Sequence, residues 1–149
     1  MDEALQKQRA AERAAKEKEL VEKYPTIMRD YGGDMTKTCM AFGICIGSGW
    51  LQLLDDLCAK IMALPGGEAV VADQIKEKFG GLRFYWHSQA NDKLDAEAVS
   101  KLVDEAERQS TKTCEHCGTT ENVTHGGKRW VRALCDAHRV LYDGEPDAE

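Results

Sequence analysis

Long apolar runs are missing from this sequence, and so is any excess of positive charge. No stretch approaches the roughly 18–20 apolar residues that a helix needs to cross a bilayer, so no membrane-spanning helix is expected. Lys and Arg number 20 against 26 Asp and Glu, a formal net charge of −6. That balance argues against a chain whose chief work is gripping the DNA backbone through a broad basic face, though it leaves room for a local basic patch. Only three prolines occur, and two of them, Pro25 and Pro65, read as stops between elements. No internal repeat is present, and no nucleophile–base constellation supports a catalytic residue. The H-x-E and P-C-x2-C pairing of zinc deaminases is absent too. The opening "MDEALQKQRAAERAAKEKEL" lacks the apolar segment of a secretory signal. Residence inside a cell follows as the expectation, and there clustered cysteines point to metal or catalysis rather than to disulfides.

What is present reads as an α+β chain. Residues 2–23 are nearly all strong helix formers, with Glu12–Lys16 and Glu19–Lys23 at the i,i+4 spacing of helix ion pairs. Large apolar residues are scarce there, so a charged helix over 1–24 is expected to project or to lie loosely on the body, with a solvated face or a self-association arm as its role. Pro25 ends it. Loops, with one short strand, follow over 26–47. In "SGWLQLLDDLCAKIMALPGG" Leu53, Leu54, Leu57, Cys58, Ile61 and Met62 form one apolar helical face, with Ser48 as N-cap and Pro65-Gly66-Gly67 as the stop.

"QIKEKFGGLRFYWH" admits two readings. As a hairpin turning on Gly80-Gly81 it pairs Phe79 with Leu82, Glu77 with Phe84 and Ile75 with Trp86, leaving Lys76, Lys78, Arg83 and Tyr85 on the other face. Alternatively, residues 68–79 form a helix through Val71, Ile75 and Phe79, with Gly80 just past its end. "NDKLDAEAVSKLVDEAERQ" is an amphipathic helix burying Val99, Leu102, Val103 and Ala106, capped by Asp92 or Asp95. The core is therefore expected over 25–110, a small hairpin or sheet packed by two amphipathic helices, with an acidic, frayed tail over 142–149.

The sharpest signal lies in "TCEHCGTTENVTHGGKRWVRALCDAH". Cys114 and Cys117 form C-x2-C, and Cys135 and His138 form C-x2-H. Two-residue spacing lets two side chains of one tight turn reach the same ion, and two such turns complete a tetrahedron, the pattern of structural zinc. Gly118 suits the turn after the second cysteine. A knuckle, a hairpin and then a helix bearing the last two ligands is a treble-clef-like arrangement, expected over 111–141. His116 and His125 compete with His138 for the fourth position, which spacing gives to His138. Four protein ligands leave no open position for a reactant, so the zinc is structural. A treble-clef nuclease using His125 is the enzymatic alternative; it lacks a second histidine or asparagine beyond Cys135. Reduced cysteines packed as small hydrophobes fit poorly beside Glu115 and His116. Cys58 reads as core, and Cys39 and Cys45 form no recognisable site.

"GSGWLQLLDDLC", "IKEKFGGLRFYW" and the terminal "TCEHCG…WVRALCDAH", in this order, resemble small, mostly uncharacterised proteins encoded by tailed bacteriophages and prophages. The resemblance covers roughly residues 42–140, and "KEKFGGLRFY" is its most specific piece. Such proteins often end in C-x2-C, where this chain has Cys135 and His138. The resemblance implies an accessory protein acting in the bacterial host cytoplasm. Its partner is then a host or phage protein. Nucleic acid is the second reading, through Lys76, Lys78, Arg83 and Tyr85 together with Lys128, Arg129 and Arg132 beside Trp130.

Overall fold

The computed structural model describes residues 2–143, so the expected acidic tail lies largely outside the described residues. Helix α1 spans Glu3–Lys23, and the Asp2 side chain caps it by accepting from the Ala4 N–H. Its first turns are exposed on every side, as a helix so poor in apolar residues must be. The second half is different, because hydrogen bonds fasten it. Arg13 donates through Nη2 to the carbonyls of Ile44 and Ile46, both at 2.7 Å, and through Nη1 to Glu17. Glu17 in turn accepts from the Tyr31 hydroxyl. Leu20 and Tyr24 are buried beside this network. The loose helix expected from apolar content alone is therefore docked over its second half. Lys23 pairs with Asp55 at 3.1 Å in place of Glu19.

The segment after Pro25 folds inward, burying Ile27, Met28, Met40, Ile44 and Ile46. It supplies the one short strand expected there, β1 (Ile44–Cys45). Ser48–Trp50 forms a single 3-10 turn leading into α2 (Leu51–Met62). Leu51, Leu54, Leu57, Cys58 and Ile61 bury the expected face, while Met62 is exposed. Ser48 is not the N-cap: no side chain caps α2, and the serine hydroxyl donates instead to the His116 carbonyl at 3.1 Å.

Strands β2 (Val70–Lys78) and β3 (Gly81–Ser88) are antiparallel, and β1 joins β2 in parallel, giving the order β1-β2-β3. The strand reading of 68–79 is thus the correct one. The register is not the expected one. Ile75 faces Phe84, Lys76 faces Arg83 and Glu77 faces Leu82. The turn is Phe79-Gly80, with φ of 54° and 75°, because a two-residue hairpin turn that follows the strand twist needs φ > 0 at both positions. Phe79 consequently stands 69% exposed, outside the core. The shift is two residues, so the side chains within the strands keep their predicted faces, while Phe79 leaves its face for the turn.

Helix α3 (Ala96–Ser110) is capped by Asp95, whose carboxylate accepts from the Glu97 and Ala98 N–H groups. It buries Val99 and Val103 against the sheet and α2, with Leu102 and Ala106 packed alongside. α3 also closes the β3 edge. Leu82 N–H donates to Ser110 Oγ at 2.8 Å and Phe84 N–H to Glu107 Oε2 at 3.0 Å. Trp50, fully buried, is the largest side chain of the core.

Candidate metal centre

The C-terminal ligands are positioned by three short pieces in sequence. The first is the turn at Cys114–Gly118, in which Gly118 N–H donates to the Cys114 carbonyl and Cys114 N–H to the Thr119 carbonyl, both at 2.8 Å. Gly118 takes φ +82°, a value that glycine adopts without penalty. The second piece is a hairpin of β4 (Val123–Gly126) and β5 (Arg132–Cys135). The third is α4 (Asp136–Asp143). Knuckle, hairpin and helix follow in treble-clef order. Cys135 ends β5 and His138 sits in the first turn of α4, which turns both toward the knuckle.

Cys114, Cys117, Cys135 and His138 converge, with their ligand atoms all within 4.8 Å of one another. Cys117 Sγ lies 3.9 Å from Cys135 Sγ, and His138 Nδ1 lies 3.2 Å from Cys135 Sγ and 3.9 Å from Cys114 Sγ. Four such groups at these separations can coordinate one metal ion. Burial raises the Cys114 thiol, but N–H groups of Cys135, Cys117 and His116 and the His138 ring outweigh it and hold the group at about 6. The thiolate is the form a metal binds. Burial pushes the Cys117 thiol upward.

Neither competing histidine joins the cluster, although the His116 Nε2 is buried without a hydrogen-bond partner. His125 donates from Nε2 to the Phe79 carbonyl at 2.9 Å, tying the β4–β5 hairpin to the core hairpin turn. The His116 ring lies against the His138 ring at 4.2 Å between centroids, and its Nδ1 is 3.1 Å from the Tyr142 hydroxyl. Burial, with Arg9 and His138 nearby, lowers its basicity. His116 therefore buttresses the ligand. Cys58 is buried in the core, where desolvation raises its thiol to about 12, while Cys39 and Cys45 are exposed and separate from the cluster.

Sequence reasoning missed how the cluster is held to the core. Gly47-Ser48-Gly49 forms a cradle for the knuckle backbone. Gly47 N–H donates to Glu115 Oε2 at 2.9 Å, Gly49 N–H to the Glu115 carbonyl at 2.7 Å and Trp50 Nε1 to the Thr113 carbonyl at 2.8 Å. A Cβ on Gly49 would sit 2.2 Å from the Cys114 carbonyl oxygen. The Glu115 carboxylate is consequently buried, which raises its pKa. The sequence signal for it is two glycines flanking a serine ahead of a tryptophan, a pattern that a helix N-cap also gives.

The residues expected to contact a partner occupy two places. Lys76, Lys78, Arg83 and Tyr85 share the outer face of the β2–β3 hairpin, with Lys78 and Tyr85 the more exposed. Lys128 and Arg129 lie exposed in the β4–β5 loop with Trp130, and Arg132 stacks over the Tyr142 ring at 4.7 Å. No helix among the described residues is long and apolar enough to cross a membrane. No family model, curated protein or solved structure matches the chain.

Proposed function

We propose that the chain is a zinc-clasped binding protein, a phage accessory factor that occupies a bacterial host protein in the host cytoplasm and modulates it. The observation that carries the non-catalytic reading is the four-ligand cluster, in which three thiols and one imidazole lie within 4.8 Å of one another. Zinc bonds of about 2.3 Å to sulfur and 2.0–2.1 Å to nitrogen place tetrahedral ligand atoms about 3.5–3.8 Å apart, close to the separations found here. A shell filled by protein groups holds structure together and leaves no position for a substrate. The nuclease alternative is weakened because the His125 Nε2 it needs is committed to the Phe79 carbonyl.

A protein partner is supported by the groove between α1, α2, α3 and the knuckle, a space of about 750 Å³. Leu53, Leu57, Leu102 and Ala106 line its floor, and Asp56 and Glu105 stand among its charges. An apolar floor with a charged rim suits an amphipathic helix laid in a groove. The phage and host assignment rests on the resemblance of the three sequence segments.

Elemental analysis of purified protein should give one zinc per chain. Tagged protein incubated with nuclease-treated bacterial lysate should retain a discrete protein, and Asp56→Lys with Glu105→Lys should release it. Retention unchanged by that double substitution would remove the groove as the contact. Zinc-free, fully folded protein would remove the clasp.

A further inference from the structure

Two cationic strips that lie far apart in the sequence meet in the fold. A Cβ placed on Gly80 would lie 2.8 Å from the His125 ring and 3.1 Å from the Arg132 Cα, so the core hairpin turn rests on the zinc-module hairpin. Each hairpin also carries an aromatic side chain that faces solvent: Phe79, 69% exposed with the Lys78 ammonium 5.6 Å from its ring centroid, and Trp130, 70% exposed. The outer face of β2–β3 runs away from it carrying Lys76, Lys78, Arg83 and Tyr85.

This surface is assembled against the interests of stability. Phe79 holds φ 54°, a left-handed value that strains a bulky residue and that turns of this type give to Asn, Asp or Gly. Lys76 and Arg83 are directly opposed across the ladder, where like charges repel. Among the described residues no carboxylate lies within 4.0 Å of Lys76, Lys78, Arg83, Arg129 or Arg132, although the chain as a whole is acidic at −6. Strain at the exposed Phe79 and repulsion between the half-buried Lys76 and Arg83, gathered in one hairpin, point to a ligand that relieves them.

We propose that this joined surface binds single-stranded nucleic acid, with phosphates on the opposed Lys76 and Arg83 and on Arg129, and with bases stacked on Phe79 and Trp130. Cations interleaved with accessible rings are what an unpaired strand requires, because every base has a face to stack and every linkage a charge to neutralise. A duplex keeps its bases hidden and cannot use the rings. An acidic peptide would use the cations and leave the two aromatics idle. The activity goes beyond the protein-binding reading and is independent of it, since none of these side chains lines the helical groove.

The test uses the full zinc-loaded chain and fluorescence anisotropy with labelled oligothymidylate and a duplex of equal length. Single strand should bind about tenfold or more tighter than duplex. The logarithm of affinity should fall with the logarithm of salt at a slope of about −2 to −3, as expected for three or four single-strand phosphates. Trp130→Ala and Phe79→Gly should each weaken binding about tenfold, the usual worth of one stacked base. Phe79→Gly should do so while holding or raising the melting temperature, a separation that a structural role for Phe79 does not give. Three results would each overturn the proposal: no binding at about 100 μM, the weak end of non-specific affinity; equal affinity for duplex; or full displacement by polyglutamate with both ring variants unaffected, which would assign the surface to an acidic protein.

Discussion

Adding one methyl group at Gly49 should separate the metal-binding knuckle from the rest of the chain. The Cβ of Gly49→Ala would fall 2.2 Å from the Cys114 carbonyl oxygen, 2.6 Å from the Gly118 nitrogen and 2.7 Å from the Glu115 carbonyl carbon. All three are backbone atoms of the knuckle, so no side chain can swing away. Ordinary contact begins at 3.4 Å, and the shortest approach demands a displacement of about 1.2 Å, the difference between 3.4 and 2.2 Å. The Gly49–Glu115 hydrogen bond, now 2.7 Å, does not survive that shift. The Gly47–Glu115 and Trp50–Thr113 bonds loosen with it. Overpacking costs about 1–3 kcal/mol and the lost hydrogen bond about 0.5–1.5 kcal/mol, which together give about 1.5–4.5 kcal/mol. For a chain of this size the melting temperature should fall on the order of 10 °C. Gly126→Ala is the matched control, because a Cβ there meets nothing within 4 Å, and it should change stability by less than about 0.5 kcal/mol. Urea unfolding of both variants, followed by tryptophan fluorescence in excess zinc, measures the difference. A Gly49→Ala protein within about 1 kcal/mol of wild type would refute the cradle.

Two further predictions concern single groups. His138→Ala should lower zinc affinity on chelator titration, whereas His125→Ala should leave stoichiometry at one, since His125 is spent on the Phe79 carbonyl; equal losses in both variants would reassign the fourth ligand. Tyr31 donates to the Glu17 carboxylate, and that bond, with burial, raises its pKa to about 12. Its folded value lies above the ordinary 10, so its contribution to stability is complete below pH 10 and disappears as pH climbs toward 12. Burial also raises Tyr24 and Tyr142, so ultraviolet titration should show a late-ionising tyrosine fraction, and Glu17→Gln should bring the Tyr31 share of it back down.

How far the sequence could be read depended on the range of the interaction. The metal ligands were legible because their signal is local: two residues separate Cys114 from Cys117 and Cys135 from His138, and the chain between them serves only to fold back. Val99 and Val103 were legible for the same reason, and the cap of α3 was legible as one of two aspartates, Asp92 or Asp95, of which the structure uses Asp95. The β2–β3 faces were legible because alternation survives a shift of two, while the pairing itself was not. The rule that prefers Gly-Gly in a turn pointed to Gly80-Gly81, and the chain instead bends at Phe79-Gly80 despite the cost to Phe79. Docking of α1 was hidden because it rests on a guanidinium and two distant carbonyls, Ile44 and Ile46, and such a bond leaves no periodicity. The knuckle cradle was hidden likewise, since Gly47 and Glu115 lie 68 residues apart.

The two margins of the three-stranded sheet are shut by side chains rather than by further strands, and the two shutters are made at different times. Arg13 precedes in the sequence the Ile44 and Ile46 carbonyls that it covers. Glu107, which covers Phe84, comes 23 residues after it. For that stretch of synthesis β3 is a bare margin able to recruit another strand. A chain ending before Glu107 lacks both groups that cover this margin, Glu107 and Ser110, and leaves the Leu82 and Phe84 N–H groups of β3 open to another strand.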